Sequence, residues 1–89
     1  MSEFHPISTL EDLSLQDREE MAAGYRSGIR GEPEPGSNKS RAHWHGWRNG
    51  RVDGGYADKD AAQIELARRY YQRQAEYLIS KARESNGRH

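Results

Sequence analysis

GYRSGIRGEPEPGSNKSRAHWHGWRNGRVD, residues 24–53, is the stretch whose reading decides the fold. On a helical wheel, Met21, Gly24, Gly28 and Gly31 share one face, with Tyr25 and Ile29 beside them. Further on, His43, Gly46, Trp47, Gly50 and Gly54 also share one face. A glycine inside a helix costs up to about 1 kcal/mol relative to alanine. Repeating it four residues apart in two successive helices needs a compensating gain. Close approach of two helices supplies one, because a missing side chain lets another backbone or a ring come near. The pattern predicts a glycine-rich antiparallel hairpin packed through Gly24, Tyr25, Gly28, Gly46, Trp47 and Gly50, with the two rings over glycine surfaces. The alternative is that the glycines only fray two marginal helices.

The flanking sequence sets the boundaries. Ser14 is a plausible N-cap for a first helix over about residues 15–30, with Asp17, Glu19 and Glu20 in its first turns. Gly31 is a natural stop. Residues 31–39, GEPEPGSNK, form a loop because two prolines and two glycines break regular structure. Ser40 or Asn38 can cap a second helix to about Asp53, ended by Gly54–Gly55. Asp58 or Asp60 can cap a third, running to about Ser85 before an Asn86–Gly87 stop. About 26 residues make a rod of about 39 Å, long for so small a chain. Three regions follow: an acidic arm (1–13), a helical hairpin (14–55), and a long C-terminal amphipathic helix with its tail (56–89). Leu10, Leu13 and Leu15 are the expected docking points of the arm. The fold class expected is all-α.

Composition bounds the function. Of 89 residues, 33% are hydrophobic and 31% charged, so the core must be thin and help from a partner or a second copy is favoured. With no cysteine, disulfides, thiolate metal sites and thiol nucleophiles are excluded, which fits a cytoplasmic location. No apolar run approaches the roughly 18 residues of a membrane span. The start has acids where a signal peptide would be basic. There is no Walker loop, GxGxxG, GxSxG or HExxH motif. His43 and His45, two residues apart, point to different helix faces and make a poor metal pair; His5 and His89 lie near the termini. A non-enzymatic protein without cofactor or metal is expected.

The net charge is zero, but unevenly spread. Residues 1–20 hold six acids and one base, whereas residues 39–51 hold four bases, two histidines, two tryptophans and no acid. Arg41, Trp44, His45, Arg48 and Arg51 fall opposite the glycine face, and Lys39 stands just before them. Arginines that contact phosphates around an indole that stacks on a base would make an RNA surface. The alternative is a solvated face, with Trp44 covered by the third helix or the arm. Along the third helix, Ile64, Ala67, Tyr71, Ala75, Leu78 and Ala82 recur at spacings of 3, 4, 4, 3 and 4. A second apolar set, Leu66, Tyr70 and Tyr77, lies well round the wheel. The main stripe is expected to pack on the hairpin and the second set to meet a partner, such as the same helix of a second protomer.

The segment also resembles the ribosome modulation factor family, which includes ciprofloxacin-resistance-protein-like members. The likeness rests on Gly24, Tyr25, Gly28 and Gly31 in the first helix and on Gly46, Trp47, Gly50 and Asp53 in the second. It covers about 30 of the 89 residues. Trp44 stands one place after His43, where the family has a tryptophan. The resemblance implies a two-helix fold, translation regulation, and a basic second helix facing ribosomal RNA. Two expectations follow: ribosome or RNA binding through residues 39–51, or a phage- or plasmid-type accessory protein that grips a host protein complex through its C-terminal helix.

Overall fold

A computed structural model describes residues 4–86. The first three residues of the arm, the expected Gly87 stop and His89 lie outside the described residues. The chain is all-α, with α1 (Leu10–Ser14), α2 (Arg18–Ile29), α3 (Arg41–Asp53) and α4 (Ala61–Asn86), and no strand among the described residues.

Side-chain caps set the helix starts. Thr9 Oγ1 accepts from Asp12 N at 3.2 Å and opens α1. Asp17 Oδ1 accepts from Glu20 N at 3.0 Å and opens α2. The helix expected over about residues 15–30 therefore starts later, at Arg18, and a short helix, α1, forms within the expected arm. Ser14 is itself the last helical residue of α1, its hydroxyl donating back to Glu11 O at 2.6 Å, so its backbone lacks the extended geometry of an N-cap, and Asp17 restarts the chain. Ser40 Oγ accepts from His43 N at 3.1 Å to open α3. Asp60 and Gln63 bond reciprocally to each other's backbone N–H, both at 3.0 Å, a capping box at the root of α4. Gly31 and Gly55, with φ of 76° and 83°, turn the chain out of α2 and α3 where a side chain would be strained. The arm is anchored by Ile7, 1% exposed, and not by Leu15, which is 82% exposed.

The centre of the molecule is the α2–α3 contact. A methyl added to Gly24 would lie 2.9 Å from Trp47 N and closer still to the His43 carbonyl. Added to Gly28, it would lie 2.9 Å from Arg51 N and overlap the Trp47 carbonyl. From the other side, Gly46 meets Met21 O and Tyr25 N, and Gly50 meets Tyr25 O and Ile29 N. Each glycine thus faces backbone, where rings over glycine had been expected. The two rings are engaged elsewhere: the Tyr25 hydroxyl donates to Asp53 Oδ2 at 2.6 Å, and the Trp47 indole N–H donates to Glu32 O at 2.8 Å. The Asp53 carboxylate raises the Tyr25 phenol above its ordinary pKa.

The pairing order corrects the expected antiparallel hairpin. Moving from Gly24 to Gly28 along α2 moves the contact from His43 and Trp47 to Trp47 and Arg51, forward along α3. The helices are parallel. Glu20, near the start of α2, accordingly accepts from Ser40 at the start of α3. An antiparallel pair needs only a short link of a few residues. Residues 30–40, at about 3.3 Å each, can instead cover about 36 Å, ample to return along a helix of about 20 Å. On the way, Glu32 O meets Trp47 and Glu34 Oε2 accepts from the Trp44 indole at 2.9 Å, in the order a returning loop requires.

α4 leaves this body as a rod. The principal extents are 57 × 25 × 20 Å, and the radius of gyration of 16.3 Å exceeds the roughly 12 Å of a compact chain of this length.

Candidate functional site

Two surfaces come into question: the arginine-rich face of α3 and the projecting length of α4. The α3 face is largely internal. Trp44 and His45 are each only 4% exposed. Phe4 of the arm lies against Trp44 with ring centroids 5.6 Å apart, and the Arg48 guanidinium covers the indole at 4.7 Å. The arm thus covers Trp44, as the alternative reading of that face allowed.

The arginines are spent within the fold. Arg41 binds both carboxylate oxygens of Asp12, at 2.7 and 2.6 Å, and its Nε donates to His5 O at 2.8 Å. That guanidinium holds the Asp12 carboxyl below the usual carboxylate range. Arg48, nearly buried, pairs with Asp60 at the root of α4. Arg51 lies over the Trp47 ring at 5.0 Å and donates to Tyr56 O at 3.3 Å. Lys39 alone of the six expected contact residues is exposed, in the loop before α3. The structure therefore joins five of the six, but around an interior that they share with Asp12, Glu34 and Asp60.

A polar relay completes that interior. Gln63 Oε1 accepts from the backbone N–H of Asp60, so its amide N–H donates to Asn49 Oδ1 at 3.1 Å. The Asn49 amide then donates to His45 Nε2, 3.2 Å away. A backbone donor at one end thus fixes every orientation and leaves His45 Nε2 unprotonated. His45 Nδ1 is buried without a partner. Burial, with Arg48 and Arg41 close by, lowers the pKa of His45. Among the described residues no His, Cys, Asp and Glu group could hold a metal ion.

The stripe assignment on α4 is corrected at Leu66 and at the large residues of the main stripe, of which only Ala67 is half-buried against the body. Leu66, expected to meet a partner, is buried against the body beside Tyr25, His45 and Asn49. Tyr70 is half-exposed along the edge of the same contact, and Tyr77 is exposed beyond it. The relay explains the choice: Arg48–Asp60 and Asn49–Gln63 fix the rotation of α4, which turns Leu66 inward. The better-patterned stripe faces outward, with Ile64 55%, Tyr71 70% and Leu78 63% exposed. All described side chains from Arg68 onward are exposed. The acidic partners on this face, Asp12 of Arg41, Glu34 of Trp44 and Asp60 of Arg48, were not visible from sequence, because each lies at least ten residues from the group it meets.

No family model, curated protein or solved structure matches the chain. No helix among the described residues is long and apolar enough to cross a membrane.

Proposed function

We propose that this chain is a non-enzymatic protein-binding module: a small glycine-packed base that presents α4 as its interaction element. The observation that carries the reading is the apolar stripe of Ile64, Tyr71 and Leu78, exposed on a helix that runs well past the body. Helices in water owe most of their stability to packing of an apolar face. A projecting amphipathic helix is the form in which such a face meets a groove or another helix. RNA binding through α3 is less well supported, because Arg41, Arg48 and the Trp44 indole each already bind an acidic side chain.

The test is affinity capture from a native lysate with the full chain and with Tyr71→Glu/Leu78→Glu, each at low and high salt. The reading expects proteins that are held by the parent chain at both salts and lost with the double variant. Capture of RNA or ribosomes that fades steeply with salt, as phosphate contacts do, and is indifferent to the double variant, would overturn it.

A further inference from the structure

Resting on the protein-binding reading, we propose that the partner seated on the outer stripe of α4 is the α4 of a second copy of this chain, running antiparallel. The stripe repeats every eleven residues: Ile64 to Ala75, Ala67 to Leu78, and Tyr71 to Ala82. Such a repeat turns the face by only about 20° per eleven residues, so over this length a slight right-handed winding keeps the seam on the contact. Along that face large and small residues alternate strictly: Ile64, Ala67, Tyr71, Ala75, Leu78, Ala82.

This alternation is complementary to its own reverse. Two antiparallel copies, with Ile64 set opposite Ala82, also set Tyr71 opposite Ala75 and Leu78 opposite Ala67. Every large side chain meets an alanine, and every alanine meets a large side chain. A parallel arrangement would set Tyr71 on Tyr71 and leave Ala75 facing Ala75, with crowding and gaps in alternation. The flank agrees. In the antiparallel register Glu65 comes beside Arg83 of the other copy, and Arg68 beside Glu76, so opposite charges meet along one edge of the seam. In the single chain, Glu65 is shared by Arg68 and Arg69, one cation more than it can neutralise.

The rest of the fold leaves room for this pairing. The body occupies the side of α4 that carries Gln63, Leu66 and Tyr70; Ala67 is half-buried and Tyr71 stands at the edge of that contact, while Ile64, Tyr71 and Leu78 keep more than half of their surface exposed. Arg73, Gln74 and Glu76 border α1, and beyond them α4 runs on for nearly three turns, along which the described side chains, Tyr77 to Glu84, are all exposed. A helix of that length is marginal in water by itself. A second copy would supply the missing face at both ends.

The absence of cysteine makes a direct test possible. Full-length Ile64→Cys and Ala82→Cys chains are prepared separately, mixed and oxidised, and the parent chain is weighed by sedimentation equilibrium up to submillimolar concentration. The proposal expects a species of twice the 10.2 kDa chain mass and a mixed Ile64→Cys/Ala82→Cys disulfide. It expects Leu78→Glu to weaken association on the order of a hundredfold, because two carboxylates would be buried per dimer. Disulfides formed mainly between two Ala82→Cys chains would overturn the antiparallel arrangement, since those positions are then about 27 Å apart. A chain that stays monomeric throughout would overturn self-association, and would leave capture of another protein by the same stripe untouched.

Discussion

Gly24 and Gly46 occupy equivalent places on the two sides of one contact: Gly24 faces the carbonyl of His43, and Gly46 faces the carbonyl of Met21. The same sequence offset carries Met21 to His43, Gly24 to Gly46, Tyr25 to Trp47 and Gly28 to Gly50. The α2–α3 pair is thus nearly symmetric about an axis between two parallel helices. Backbone meets backbone there, with glycine Cα–H groups directed at carbonyl oxygens.

Replacing any of these glycines with alanine should therefore cost more than helix propensity returns. A Gly24→Ala or Gly50→Ala methyl meets backbone that cannot rotate away. Each is expected to lower stability by about 2–3 kcal/mol, read as a lower urea midpoint. Gly36→Ala, in the loop with only the Asn38 side chain near at 3.5 Å, should change it by less than about 0.5 kcal/mol.

His45 makes stability depend on pH. Its folded pKa lies below the ordinary 6.5, so the unfolded chain binds the proton more readily. Its contribution is complete above about pH 6.5 and is lost as pH falls from there through the lowered folded value. The groups facing it are Arg41 and Arg48 of α3, Asp12 of α1 and the Asn49 amide. Urea midpoints should fall between pH 7.5 and pH 5, and His45→Gln should reduce that fall.

The Arg41–Asp12 pair ties the arm to α3. Its side chains are about 30% exposed, at 30% and 28%, so screening limits it to about 1 kcal/mol. Asp12→Asn should loosen the arm without releasing it, since Ile7 stays buried, and is expected to lower the urea midpoint by an amount equivalent to about 1 kcal/mol or less. Because the folded pKa of Asp12 is lowered, this contribution is complete above the usual carboxylate range and is lost as pH falls through the lowered value.

Arg48→Glu should act on folding before it acts on any ligand. The new carboxylate would sit in a nearly buried place beside Asp60 and near Glu34. A loss of about 3 kcal/mol or more is expected, read by circular dichroism during thermal unfolding. A folded Arg48→Glu chain of unchanged melting temperature would contradict the interior placement.

Much of the architecture was legible in the sequence. Gly31, Ser40, Gly54 and Asp60 mark boundaries through local chemistry, and the glycine spacing announces close helix contact. Direction was not legible, because Gly24 and Gly28 fit an approaching backbone equally well from either end; only the returning residues 30–40 decide it. The candidate surface was misplaced for a related reason. A wheel separates the faces of α3 but does not show that Asp12, Glu34 and Phe4 fold over one of them. On α4, pattern strength favoured the Ile64 stripe for the core, yet the polar bonds from Asn49 and Arg48 fix a rotation that buries Leu66 instead.

The central claim is that the arginine and tryptophan face of α3 is turned into the protein. Iodide quenching of tryptophan emission in the native chain tests it most directly, since the only two indoles are Trp44 and Trp47. At 4% and 5% exposure, both should resist the quencher and emit at short wavelength, with no change when single-stranded RNA is added. Quenching close to that of the urea-unfolded chain, relieved by RNA, would contradict the account.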